Sequence, residues 1–268
     1  MARYESMFQT LAEKNEGAFV PFVTIGDPNL ETSERIIETL IANGADALEL
    51  GLPFSDPVAD GPVIQAANFR ALDAKVTIAQ SFELLARIRE RHPELPIGLL
   101  VYCNLVHAKG IHSFFARCAE VGVDSVLIAD VPIREAGLYR SAAQAVGVQS
   151  VYICPPDASQ TLRNKVAEMS EGYVYLLSRA GVTGADQELQ TPAAEAIDEL
   201  KAANSAPPLL GFGISQPQHV KAALENGAKG AISGSAVVKI VAEQLHDEPA
   251  MLAALGEFIK TMKAATKQ

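Results

Sequence analysis

The sequence contains no tryptophan, and only 6% of its 268 residues are aromatic. Large rings therefore cannot fill a core. With apolar residues at 49%, small and branched aliphatic side chains must do so, as they do inside α/β barrels. Cysteine is scarce as well. Cys103, Cys118 and Cys154 are odd in number and lack C-x-x-C spacing, which argues against a disulfide framework and fits reduced thiols. Basic residues are outnumbered, 22 Lys and Arg against 32 Asp and Glu, for a net charge of −10. Such a surface repels nucleic acid and anionic membrane, so neither is expected as a partner. No apolar run reaches membrane-spanning length, and the start, Met-Ala-Arg-Tyr-Glu-Ser, lacks the apolar core of a signal peptide. The expectation is a cytoplasmic protein.

Catalytic motifs are missing too. There is no P-loop. His92, His107, His112, His219 and His246 form no H-x-x-x-H set, so a metal-dependent reaction is disfavoured. No lysine falls at the end of a predicted strand, and Lys229 falls at the start of one, which disfavours Schiff-base chemistry.

What is present is a recurring unit: a helix-like stretch, a glycine, then a short apolar strand. It occurs at Gly44, Gly122, Gly147, Gly172 and Gly227. Glycine ends a helix in the left-handed conformation, and a near-continuous apolar run suits a parallel strand covered on both faces. Further strands are read at 18–24, 97–103 and 208–211, making eight. Helices are read at 31–42, 78–91, 113–121, 135–146, 162–170, 193–203 and 217–226. Eight such units predict a (β/α)8 barrel of the TIM type in a single domain, 1–268. An extra N-terminal helix (4–14) and a closing C-terminal helix (250–264) flank it.

Barrel active sites lie at the C-terminal ends of the strands. Glu49 stands near the end of the second, between Leu48 and Leu50. A charge there is costly unless paired, so the setting should raise its pKa and suit it to proton transfer near neutral pH. A structural ion pair is the alternative. Asp60 lies on the following loop, before Gly61-Pro62; local sequence leaves both a catalytic and a helix-capping role open. Asp56 reads first as a solvated turn residue. Gly211-Phe-Gly213 and Gly234-Ser235 close the seventh and eighth strands. That is the usual barrel site for a phosphate, where backbone N–H groups and a helix N-terminus meet an anion, although ordinary tight turns would look the same. The stretch 179–191, with Gly181 and Gly184 as hinges, reads as a lid or as a plain connection. Carboxylate acid–base chemistry on a phosphorylated compound remains.

The run Leu48-Glu-Leu-Gly-Leu-Pro-Phe-Ser-Asp-Pro-Val-Ala-Asp-Gly61 resembles the signature of tryptophan synthase alpha subunits. The similarity continues through Phe19–Pro28, Tyr175–Gly184, Gly211–Ser215 and Ile232–Ala236. This resemblance, not composition or spacing, implies the substrate: indole-3-glycerol phosphate, split to indole and glyceraldehyde 3-phosphate in tryptophan biosynthesis. It implies Glu49 as the principal acid–base and Asp60 as the group that binds the indole N–H and steadies positive charge on the ring. It further implies Gly184, Gly213, Gly234 and Ser235 around the phosphate. Phe22, Leu100, Leu127, Tyr175 and Phe212 would line the indole pocket, and Thr183 would close over it. The chain would carry no cofactor. Pyridoxal phosphate would belong to a partner beta subunit in an alpha2-beta2 tetramer, met at exposed-looking Pro53, Phe54 and Pro57, with Asp56 as an inter-subunit contact. The rival readings are another phosphosugar barrel enzyme, such as an isomerase, and a barrel kept only as an allosteric partner.

Overall fold

A computed structural model of the chain describes all residues except 179–191. Its frame is one parallel sheet of nine named strands, in the order β5-β4-β3-β2-β1-β9-β8-β7-β6. They are β1 (Ala18–Thr24), β2 (Leu48–Gly51), β3 (Ile97–Val101), β4 (Ser125–Ile128), β5 (Gln149–Ser150), β6 (Tyr152–Cys154), β7 (Val174–Leu177), β8 (Pro208–Gly211) and β9 (Gly230–Ser233). β5 and β6 are two arms of one stave, separated only at Val151. The first arm pairs with β4 and the second with β7, and this closes the sheet. The fold is the expected eight-staved (β/α)8 barrel.

The repeat glycines behave as their chemistry requires. All five have positive φ, +108° at Gly44 and +91° at Gly227 among them. Helices between the strands are started by local signals. Asn29 accepts a hydrogen bond from Thr32 N–H at 2.9 Å and starts α2 (Leu30–Ala42). Two helices, α3 (Pro62–Asp73) and α4 (Ile78–Arg91), fill the connection from β2 to β3; Thr77 and Gln80 form a capping box on α4. The third strand is shorter than expected, because Cys103 already opens the short α5 (Cys103–His107). After it come α6 (Ile111–Glu120), α7 (Gly137–Gln144), α8 (Gln160–Met169), α9 (Pro192–Ala202), α10 (Pro217–Glu225) and α11 (Ser235–Glu243).

Strand alternation divides the buried residues into an outer and an inner set. Phe19, Val23, Leu48, Leu50, Leu99, Val101, Val126, Leu176 and Leu210 face the helices. Ala18, Val20, Ala47, Leu127, Val151, Tyr173, Tyr175, Leu209 and Ile232 fill the barrel interior. The N-terminal helix α1 (Arg3–Glu13) contributes Tyr4 and Leu11 to that inner set. Tyr4 bonds Ser125 Oγ at 3.0 Å. At the other end of the chain, α12 (Glu248–Ala264) packs against α2, α11 and β1.

Candidate active site

Alternation places Glu49 in the inner set. Its register partners are Phe22 on β1 and Gly98 on β3. Leu48 and Leu50 point the opposite way, toward the helices. The leucine flanks read from sequence are therefore not what desolvates the carboxyl; the barrel interior is. Glu49 is 2% exposed. Tyr173, on the stave across the barrel, donates its hydroxyl to Glu49 Oε1 at 2.9 Å. Burial pushes the Glu49 pKa up to about 7, against the lowering effect of the Tyr173 hydrogen bond and with help from the charge of Asp60.

Asp60 is 7% exposed. The N-cap of α3 is Gly61, with Pro62 at the first helical position, so Asp60 is free of the capping role that its sequence allowed. Its Oδ2 accepts the Tyr102 hydroxyl at 2.9 Å. Burial raises its pKa to about 6, although the Tyr102 hydrogen bond pulls the other way. Both carboxyls open onto one cavity, lined also by Phe22, Ile64, Leu100, Tyr175, Phe212 and Gly234. Its walls are otherwise apolar, as expected for an aromatic ligand. Tyr175 stands edge-on to Phe212, ring centroids 6.3 Å apart. Gly211 has no side chain where the Tyr175 ring lies; a methyl group there would overlap it.

The predicted anion site closes the cavity on the β8–β9 side. Phe212 and Gly213 both take positive φ, +69° and +72°. A non-glycine residue held there is strain of the kind concentrated at functional sites. Gly234 is the N-cap of α11 and Ser235 its first residue, and no side chain caps that end. Its free N–H groups and helix dipole are available to an anion. Gly213, Gly234 and Ser235 are only half-buried, as an incoming phosphate requires.

Not every predicted residue falls into place. Leu127 is buried inside the barrel beside Leu100, its register partner, rather than on the cavity wall. Thr183 and Gly184 lie outside the described residues. Pro53 and Pro57, read as exposed, are buried in this chain, and Phe54 is half-buried, stacked on Tyr102 with centroids 5.1 Å apart. Phe54 turns inward because it finds the Tyr102 ring there. What it exposes are Ser55, Asp56 and Val58, the last 73% exposed. Sequence reasoning missed Ala59, Ile64, Ala129 and Ile153 on the wall, and the two tyrosines that hold the carboxyls. One signal could have found the tyrosines. Tyr173 is two residues from Tyr175, and Tyr102 two from Leu100; residues two apart along a strand point to the same face.

Among the described residues no group of three His, Cys, Asp or Glu side chains is placed to hold a metal. None of their helices is long and apolar enough to cross a membrane. A parallel barrel with two raised carboxyls facing one apolar cavity, and a helix N-terminus free beside them, defines an acid–base enzyme of the (β/α)8 class. The tryptophan synthase alpha chain family matches residues 8–267. The chain is 58% identical to the tryptophan synthase alpha chain of Escherichia coli strain SE11 over 267 residues, covering 100% of each. Among solved structures it is similar to tryptophan synthase subunit alpha of Legionella pneumophila, at 29% identity and a TM-score of 0.88, covering 99% of this chain and 98% of that one. It is also similar to a chain of the tryptophan synthase a2b2 complex of Pyrococcus furiosus, at 32% identity and a TM-score of 0.84, covering 92% of this chain and 98% of that one. This chain belongs to the tryptophan synthase alpha chain family.

Proposed function

We propose that the barrel catalyses the alpha reaction of tryptophan biosynthesis, with Glu49 and Asp60 as its working carboxyls. The reaction is the retro-aldol cleavage of indole-3-glycerol phosphate to indole and glyceraldehyde 3-phosphate. The observation that carries the residue assignment is the shared cavity, in which burial separates two carboxyls into a group near 7 and a group near 6. Protonated Glu49 delivers its proton to C3 of the indole, which turns the ring into a cation. Ionised Asp60 accepts the indole N–H and stabilises that cation. Glu49, now a carboxylate, takes the proton of the side-chain hydroxyl on the carbon attached to the ring. The bond to C3 breaks, its electron pair returns to the ring, and indole and the aldehyde are left. Two carboxyls in unlike surroundings thus hold opposite protonation states at one pH. Gly213, Gly234 and Ser235 hold the phosphate, and Thr183 and Gly184, outside the described residues, complete the enclosure. Phe22, Leu100, Tyr175 and Phe212 sandwich the ring.

The chain works as a single domain, 1–268, with a beta subunit that carries the pyridoxal phosphate, in an alpha2-beta2 assembly. Support comes from the Pyrococcus furiosus relative, an a2b2 complex described as mutually activating. Ser55, Asp56 and Val58 are the exposed side chains of the loop proposed to dock there. Action in the cytoplasm is supported by three unpaired cysteines.

The test is incubation of the purified chain with indole-3-glycerol phosphate. Indole should appear, faster with a beta subunit present. The profile of kcat/KM should be bell-shaped, with an acid limb near pH 6 from Asp60 and an alkaline limb near pH 7 from Glu49. No indole under either condition would overturn the assignment.

A further inference from the structure

Tyr102 lies just beyond β3 and is 2% exposed. Its hydroxyl does two things at once. It donates to Asp60 Oδ2 at 2.9 Å and accepts the Ala59 N–H at 3.1 Å. Its ring stacks on Phe54, 23° from parallel. Phe54 is fixed from the other side, because its N–H donates to Asn68 Oδ1 at 2.9 Å. Asn68 is 3% exposed and is itself held through its Nδ2 on the Ile64 carbonyl of α3, at 3.0 Å.

Loop 52–60 is thus pinned at Phe54 and at Ala59, near its two ends, by one tyrosine. Between these points it exposes Ser55, Asp56 and Val58. A force on that outer stretch reaches Tyr102 through the ring stack and through the Ala59 bond, and Tyr102 passes it directly to the carboxyl. We propose that Tyr102 is a positioning residue that orients the Asp60 carboxyl and ties that orientation to the shape of loop 52–60. This inference rests on the reading of Asp60 given above.

Tyr102 is suited to the task because it keeps its proton. Burial and the nearby charges of Asp60 and Asp130 raise its pKa above that of an ordinary phenol. The other titratable groups facing Asp60 are Glu49 on β2 and Tyr175 on β7. A donor to a carboxylate favours the charged form, so the hydroxyl opposes the effect of burial.

Tyr102→Phe keeps the ring and its stack while removing the hydroxyl. Measured in the complex with the beta subunit, kcat should fall about tenfold with little change in KM, and the acid limb of kcat/KM should move up by about one pH unit. The alkaline limb, set by Glu49, should stay where it is. A wild-type kcat with an unmoved acid limb would overturn the proposal, whatever happens to the melting temperature. Phe54→Leu provides a second arm should Tyr102→Phe fold poorly. It touches neither Asp60 nor the cavity wall, yet it should move the acid limb the same way by a smaller amount; an unmoved limb breaks the link between loop and carboxyl. Asp60→Asn separates the two levels of the argument. Full turnover in that variant removes Asp60 from the mechanism and the Tyr102 inference with it. A dead Asp60→Asn beside a wild-type profile in Tyr102→Phe refutes the inference alone.

Discussion

Glu49→Gln is expected to lose nearly all lyase activity while becoming more stable than the parent at pH 8. One acid–base group is typically worth roughly 10²–10⁴-fold in rate, and Glu49 is proposed to serve both proton transfers, so the loss should lie toward the upper end. The gain in stability has the same physical origin. In the folded barrel the carboxyl titrates near 7, against 4.5 for an ordinary glutamate. Below about pH 4.5 it is protonated whether the chain is folded or not, and burial costs nothing extra. Between about 4.5 and 7 the unfolded chain ionises first, so the folded state loses ground as pH rises. Above 7 the deficit is complete, on the order of 3 kcal/mol. Glutamine does not ionise, and its side-chain oxygen can still accept the Tyr173 hydroxyl. Urea unfolding of both proteins at pH 5 and pH 8 measures the difference. A gap that does not widen between those two values would show that Glu49 is not desolvated as described. Near-parental turnover would remove it from the chemistry.

Asp60→Asn should cost about a hundredfold or more in turnover while leaving glycerol phosphate binding intact. Asparagine can still accept the Tyr102 hydroxyl, so the local geometry should survive, but a neutral amide does not stabilise a cationic ring. The proposed phosphate contacts belong to other staves, at Gly213, Gly234 and Ser235. The expected signature is therefore a collapse of kcat with an unchanged dissociation constant for glycerol phosphate, read by isothermal titration. Unchanged turnover would reduce Asp60 to a structural residue of its loop. A loss of glycerol phosphate affinity to match the loss of turnover would mean that the substitution had disturbed the barrel mouth as a whole.

Loop 52–60, proposed to dock the beta subunit, is linked to Asp60 through Tyr102. The inward folding of Pro53, Phe54 and Pro57 was not legible in the sequence, where three apolar residues in a loop look like an open patch. For Phe54, burial depends on whether Tyr102, from another stave, offers a ring to stack on, and no local pattern states that. Leu48 and Leu50 show the same limit. Beside Glu49 in sequence they suggest an apolar nest, yet strand alternation turns them to the opposite side of the sheet.

By itself the sequence determined the eight-unit plan. The glycines that follow five of the helices, the caps at Asn29 and Thr77 and the apolar strand runs act over a few residues, and their hydrogen bonds are local or repeat along a strand. It also marked Glu49 and Asp60 as candidates, at a strand end and in the loop after it, with the family resemblance supplying their proposed roles. What surrounds them is set only when distant staves come together. Tyr173 is 124 residues from Glu49 and Tyr102 is 42 from Asp60, and those pairs meet only once the sheet has closed. Closure also strips water from the interior and leaves the two acids with different partners, and from that difference come their separate pKa values and the separate tasks proposed for them.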